Sequence, residues 1–441
     1  MSTTYSRIGS ANTYDSAVRN IANRQTALSN LQENLTSGKR VVRASDDPTA
    51  AANAERALTR ISRIATDQRA LESQRNAIAQ AESTLGEVTD VLQRFRELVI
   101  NAGDGVHSSA ERRSIALELQ GLRDQVFSLA NTKDTNGLPL FGALASALAP
   151  FVGPQAGSPD YNFQGLPGQS ANNEVAIPFT LDGDAAFMHD PTRDRVFNVD
   201  VSNSVDGLIS ADRTLTTTAV KVTNSATVKA TADAAAAVAP PNNVPYPSYA
   251  IAFTAVDSTT VPGTTTATYS ITETPSVTPL GAPAPFANVT VSFPTGSTFD
   301  ITGIPGMSLT VKGTPKVNDT ITVDASPSVF SVLDDAIRNI REAPNNNGAA
   351  QATSQALNNI DIGMERISAV RGQAGDLLNR ADRISANQEN RSIQLESDRS
   401  RAEDLDMIKG ISDFNNQQTG YQAALQTYAK VQQLSLFNFI N

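Results

Sequence analysis

Neither cysteine nor tryptophan occurs in this chain, histidine appears only twice, and aromatic residues make up 5% of it. The lack of cysteine excludes disulfides, thiolate metal sites and thiol nucleophiles, and removes the usual mark of the redox compartment. Long apolar runs are missing as well. No window approaches the roughly 18–20 apolar residues a membrane-spanning helix needs, so no membrane partner is expected. The first thirty residues place Arg7, Arg19 and Arg24 among Asn, Ser and Gln, without an apolar h-region or a small-residue cleavage site, which argues against a Sec signal peptide. Positive charge is in deficit: 35 Lys and Arg face 45 Asp and Glu, for a formal net charge of -10. That balance opposes binding to a phosphate backbone, and no nucleic acid partner is expected.

Catalytic and cofactor signatures are absent in the same way. The sequence holds no GxxxxGK[ST] phosphate loop, no GxSxG nucleophile elbow and no GxGxxG after a strand, so no enzyme and no cofactor are expected. His107 and His189 stand far apart without an HExxH pattern, and Asp182-Gly183-Asp184 is too short for an EF-hand loop, so no metal is assigned.

What is present is a division made by proline. All prolines except Pro48 and Pro344 lie from Pro139 to Pro327, leaving both flanks free for long helices. With 441 residues, of which 40% are hydrophobic, two or more domains are expected. Asp46, Asp47 and Pro48 read as the cap and first turn of a helix that Gly103 and Gly105 stop. Such a helix is roughly 80 Å long, which suits a rod better than a small globule. Within it Ile64, Leu71, Ile78, Leu85, Leu92 and Val99 recur every seventh residue, joined by Ala81, Val88, Phe95 and Ala102, as an a/d seam requires. Ser108 and Glu111 have capping-box spacing ahead of a third helix with Ile115, Leu119, Leu122, Val126 and Leu129 on one stripe. From about 349 onward, Leu357, Ile360, Met364, Ile367, Ala374, Leu378, Ala381, Leu395, Ala402 and Leu405 keep a three-four alternation for a second long helix.

The extreme ends repeat the pattern more loosely. Tyr14, Val18, Ile21, Leu28 and Leu35 at one terminus look like partners for Tyr421, Leu425, Tyr428, Val431 and Leu434 at the other. Amphipathic ends of this kind bury their stripe only against further surface, so they are expected to be disordered in the monomer. In the middle, period-two segments at Phe197–Val201, Tyr249–Phe253, Thr266–Thr272, Asn288–Phe293, Ser308–Val311 and Thr320–Val323 predict an antiparallel β domain. Residues 230–248, an Ala run followed by Pro240-Pro241, read as a linker, so the β region is either one module or two.

Three stretches then resemble the flagellin superfamily. They are Leu35–Val41 with Arg43–Ala51 (LTSGKRV and RASDDPTAA), Asn131–Gly142 (NTKDTNGLPLFG) and the tail Leu434–Asn441 (LSLFNFIN). The Asp46-Asp47-Pro48 form resembles the branch that joins the flagellar hook to the filament, and Leu138-Pro139 departs from the pattern of the second stretch. The matches cover both flanks and not the middle. The resemblance implies an extracellular structural subunit at the hook-filament junction, exported through the flagellar type III channel by an uncleaved amino-terminal region. Its implied partners are a hook-side junction protein of the hook-associated protein 1 type, flagellin, further copies of itself in a ring, and a cytoplasmic export chaperone.

The resulting expectation is an α+β chain: a long antiparallel helical rod, coiled-coil-like and built from both termini, with an inserted antiparallel β domain. Residues 1–45 and 406–441 would form an inner filament core, 46–138 and 328–405 the rod, and 139–327 a surface domain. Tyr14, Val18, Ile21, Leu28 and Leu35 would pack with Leu425, Tyr428, Val431 and Leu434 on assembly, while the seam from Ile64 to Val99 holds the rod. The alternatives are flagellin itself, an adhesin-like surface protein whose helices are a stalk, or a monomeric helical bundle.

Overall fold

A computed structural model describes residues 10–143, 149–155, 160–166, 176–203, 213–237, 246–274 and 288–437. In chain order these form α1 (Ser10–Ser37), α2 (Pro48–Ala102), α3 (Ser109–Ala130), β1 (Phe151–Val152), β2 (Asn162–Phe163), α4 (Gly183–Phe187) and β3 (Phe197–Asn203). There follow β4 (Thr216–Thr217), β5 (Lys221–Val222), α5 (Ser225–Ala236), β6 (Ser248–Asp257), β7 (Thr264–Thr274), β8 (Val289–Pro294), β9 (Thr298–Ile301), β10 (Met307–Lys312) and β11 (Asp319–Ala325). Three helices close the chain: α6 (Val329–Arg341), α7 (Asn346–Glu403) and α8 (Met407–Phe437). The architecture is α+β, with helices at both ends and antiparallel sheets between them. Two contact-dense units divide it, one of 1–70 with 383–441 and one of 71–382; α2 and α7 contribute residues to both.

In the larger unit, α2 and α7 run antiparallel. Ion pairs join Arg75 to Asp382 at 3.1 Å, Arg371 to Glu82 at 2.6 Å and Arg96 to Asp361 at 2.8 Å, at a near-constant register. These pairs are exposed and fix alignment more than stability. The stabilising surface lies beneath them, where Ile78, Leu85, Leu92 and Val99 are wholly buried with Ala81, Val88, Phe95 and Ala102, and Leu71 is nearly so. Gly103 ends α2 beside α7, and a Cβ there would stand 2.5 Å from the Thr353 hydroxyl, so glycine permits the close approach. The Ser108–Glu111 capping box opens α3, with both reciprocal bonds formed. The buried face of α3 is centred on Arg112, Ala116, Leu119, Val126 and Ala130, so the expected stripe is rotated slightly, with Ile115, Leu122 and Leu129 at its margins.

The described stretches at 149–155, 160–166 and 176–196 do not join the β module as the sequence suggested. They are knitted to α3 and α6 through an aromatic cluster around Phe330, whose ring lies within 5.6 Å of those of Phe127, Phe151, Tyr161 and Phe187. The Tyr161 hydroxyl donates to Asp334 of α6 at 2.6 Å, and Arg123 of α3 reaches the same carboxylate at 2.6 Å. Burial and the Asp334 carboxylate together push the Tyr161 phenol far above its usual range. These rings come from separate stretches of chain, which is why local periodicity did not reveal the cluster.

The strand-bearing module proper runs from β3 to β11. One sheet has the order β3-β11-β6-β7-β8 and a second has β4-β10-β5 with β9 also on β10, every pairing antiparallel. Their inner faces share one core, from Phe197, Val199 and Val201 through Tyr249, Ile251 and Phe253 to Leu309, Val311, Ile321 and Val323. The two-module alternative therefore gives way to a single core. The linker reading of 230–248 is corrected in the same place: residues 230–236 belong to α5, which Asn224 caps and which buries Val228 and Ala235. An Ala run has the highest helix propensity of any sequence, and a cap with one apolar face was enough to fold it onto the sheet.

Candidate assembly interface

In the smaller unit, α1 and α8 lie against each other as an antiparallel pair. Gly410 is buried beside Leu35, where an added Cβ would sit 3.2 Å from Leu35 Cδ2; at Gly420 it would sit 2.6 Å from the Arg24 guanidinium. These two contacts fix the register within the single chain, where Leu35 meets the start of α8; its packing with the Leu425–Leu434 stretch is an expectation for the assembled state. Leu28 falls opposite residues near 416, and Val18 and Ile21 are the ones brought level with Leu425 and Tyr428. The side chains of Tyr14, Val431 and Leu434 lie outside the described residues.

The loop of residues 38–47 joins α1 to α2 and packs on the end of α7. Gly38 ends α1 with φ at 69°, the left-handed conformation that a helix terminus of this type requires. The following residues close the end of α7. The Arg40 N–H donates to the Glu403 carbonyl at 2.7 Å, the Arg40 guanidinium to the Ala402 carbonyl at 2.8 Å, and the Leu405 N–H to the Gly38 carbonyl at 2.9 Å. Carbonyls at 402 and 403 have no intrahelical donor, so the loop supplies α7 with its C-cap, and a cation there also suits the helix dipole. Lys39 pairs with Glu403 across the same junction.

The paired aspartates divide the capping between them. Asp46 accepts from the N–H groups of Arg43 at 2.8 Å and Val42 at 3.2 Å, which shapes the loop. Asp47 accepts from the Ala50 N–H at 3.0 Å and the Thr49 hydroxyl at 2.8 Å, which caps α2 ahead of Pro48. Those two bonds, the backbone one first, hold its carboxyl down at about 2. On the other strand of the junction Asp406 accepts from Ile408 at 3.1 Å and Lys409 at 3.2 Å and caps α8. Asp406 and Glu403 were missed from sequence because the helical pattern runs through the break; the only local signal was an Asp just before a helical turn.

Pairing of the terminal helices leaves apolar surface over. Val18 and Leu425 remain exposed, the latter at 40%, and Ile21, Leu28 and Leu35 are only half-buried. The first turns of α8 add Met407, Ile408 and Ile411, with Ile408 at 85% exposure. Of the seam residues, Leu71 to Val99 are buried, whereas Ile64, in the smaller unit, is half-buried.

The candidate chemical residues are not brought together. Asp182 accepts from the N–H groups of Asp184 and Ala185 and caps α4. His189 is buried beside Gly363, and His107 sits at the turn before α3. Among the described residues no group of three or more His, Asp or Glu lies where it would hold a metal.

Comparison with known proteins decides the family. Residues 8–145 match the bacterial flagellin N-terminal helical region, and residues 357–440 match the bacterial flagellin C-terminal helical region, together half of the chain. The chain belongs to the flagellin superfamily. Within that superfamily it is 32% identical over 195 residues to flagellar hook-associated protein 3 of Escherichia coli, a match covering 44% of this chain and 57% of that one. It is 34% identical over 154 residues to the protein of the same name from Salmonella typhimurium, covering 33% and 46%. The chain thus spans about half the length of the curated relatives it matches. The flagellar junction protein FlgL from Legionella pneumophila shares the fold, with a TM-score of 0.54 and 23% identity over 74% of this chain and 98% of that one. Both matched regions lie in the helical flanks, and the β module from 197 to 325 falls outside them.

Proposed function

We propose that this chain is a structural subunit of the bacterial flagellum that joins the hook to the filament, and that it performs no catalysis. The observation that carries this reading is the apolar surface left on α1 and α8 after they have paired with each other. Val18, Leu425, Met407, Ile408 and Ile411 face solvent in the single chain, which is unfavourable for a monomer and useful for a subunit whose neighbours cover them. Each such side chain removed from water contributes about 1.5–3 kcal/mol, so a few per subunit govern whether the polymer forms. The loop at 38–47 gives this surface its geometry by tying the end of α1 to the break between α7 and α8.

Partners follow from the same reading: a hook-side junction protein of the hook-associated protein 1 type, flagellin on the filament side, further copies in a ring, and a cytoplasmic export chaperone before secretion by the type III route. The location is extracellular, at the hook-filament junction. An adhesin role for the β module finds less support. Every described aromatic ring from Phe197 to Phe299 is in the module's core, so none is presented for stacking on a sugar.

Immunogold electron microscopy with antibodies to residues 197–325 tests the location on intact cells. A narrow band where hook meets filament is expected. Label along the whole filament would assign the chain to the filament itself, and label confined to the cell interior would sink both readings.

A further inference from the structure

β3 is the outermost strand of its sheet, paired with β11 on one side; among the described residues no strand pairs with its other side. An unpaired strand edge is a row of N–H and C=O groups ready to take a strand from another chain. Here that row is occupied by side chains, most of them from α7. The Asn359 amide donates to the Phe197 carbonyl at 2.9 Å. Gln355, with its amide oriented to satisfy its neighbours, donates to the Val199 carbonyl at 3.1 Å while its oxygen accepts from the Val199 N–H. That exchange of two bonds with one residue is what the facing residue of a neighbouring antiparallel strand makes. Farther along, the Val201 carbonyl takes Arg213 Nη1 at 3.0 Å, and Gln351 of α7 holds that guanidinium at 3.0 Å.

Spacing explains why a helix can serve in place of a strand. A strand turns its edge groups outward every second residue, about 6.8 Å apart, and a helix presents residues i and i+4 about 6 Å apart. Gln351, Gln355 and Asn359 therefore keep step with Val201, Val199 and Phe197. Gln355 and Asn359 are each 4% exposed, so water does not compete for their bonds. Further contacts of β3 with the helices are polar as well, Asp200 with Arg338 at 2.9 Å and Asn198 with Asn339 at 3.3 Å. Polar contacts of this kind are released to water more readily than apolar ones, because each group exchanges one hydrogen-bond partner for another. The β module is tethered at one neck, where the chain enters through Val196 and leaves through Ser326, whose N–H donates to the Val196 carbonyl at 3.1 Å.

We propose that this amide row is an edge guard: Gln355 and Asn359 hold α7 against the pairing edge of β3, and without them β3 pairs antiparallel with β3 of a second copy. A two-fold axis through Val199 lets the two Val199 residues exchange the bonds that Gln355 makes in the single chain. The same axis sets Asp200 opposite Asn198, so no two carboxylates face each other, and Phe197 opposite Val201. Such pairing is self-complementary and closes at two copies, unlike a head-to-tail contact with β8 at the far end of the sheet.

The double variant Gln355→Met, Asn359→Leu tests this in the full chain, since it keeps side-chain volume and removes both amides. With the circular dichroism spectrum unchanged, sedimentation should show the variant shifting, as concentration rises, toward twice the mass that the parent shows at the same concentration. Hydrogen exchange locates the contact. The Val199 N–H of the variant should exchange about tenfold faster than the parent's in dilute solution and regain protection where the dimer forms. Gln355→Met alone keeps Asn359 on Phe197; it should dimerise at higher concentration, and it decides the question if the double variant does not fold. The parent's mass at every concentration, association that leaves the Val199 N–H unprotected, or open-ended growth in place of a dimer would overturn the proposal.

Discussion

At the scale of single residues, buried polar groups separate what holds this protein together from what it exposes for use. His189 is buried with neither ring nitrogen hydrogen-bonded to a side chain, close to Asp194, which Arg193 grips at 2.7 Å and Arg366 approaches at 3.4 Å. Burial first, and the two arginines after it, outweigh Asp194 and push the imidazole from 6.5 down to about 4. The unfolded chain thus takes up a proton that the folded chain refuses. Stability from this site is complete above pH 6.5 and is lost as the pH falls toward 4. His189→Leu should flatten the acid limb of urea midpoints between those two values while leaving the midpoint at pH 8 little changed. An acid limb as steep as the parent's would place the sensitivity elsewhere. Legibility at this scale was uneven. Asp47, Pro48, Ser108 and Glu111 were readable because capping chemistry is local. Glu403 and the Arg40 guanidinium act across more than 350 residues of chain, and nothing local marks them.

Among the elements, the heptad seam of α2 and the amphipathic face of α6 carry the packing. Leu85 has no solvent exposure, whereas Leu117 on α3 is largely exposed. Leu85→Ala should therefore cost about 2–5 kcal/mol in chemical denaturation, by lost transfer energy plus a residual cavity. Leu117→Ala should stay within about 0.5 kcal/mol. Equal costs for the two would mean that the seam is not the stabilising surface. Period-two alternation located the strands at 197–203, 248–257, 264–274, 289–294, 307–312 and 319–325, since each has one face on the shared core. The two-residue strands, β9 and α5 escaped, the strands because two to four residues show little period, α5 because an Ala run beside prolines resembles a linker. A further element-scale feature was masked by its polarity. Gln351, Gln355 and Asn359 lie one turn apart on α7, and all three are buried against the β module. Asn359 donates to the Phe197 carbonyl at 2.9 Å. Gln355, with its amide oriented to satisfy its neighbours, donates to the Val199 carbonyl at 3.1 Å. These amides satisfy the backbone of β3, where apolar side chains would leave its donors and acceptors without partners.

For the whole molecule, the testable consequence is assembly. Leu425 is exposed in the single chain, so Leu425→Asp should leave helicity by circular dichroism nearly unchanged. It should stop incorporation at the hook tip, because a carboxylate buried without a partner in the assembled wall is costly. Normal filament growth in cells carrying only this variant would refute the proposed interface. Helical flanks, a β insert, a capped long helix with its seam and the flagellin-type ends were all legible in the order of the residues. All of these rest on periodicity, propensity and caps, which act within a few turns or strands of chain. Long-range packing set the register of α1 on α8, the capping of α7 by residues from the other end of the sequence, and the attachment of Phe151, Tyr161 and Phe187 to α3 and α6. Each of those depends on which distant side chains share a buried volume, and the free energy of burial is set by neighbours in space that no local pattern records.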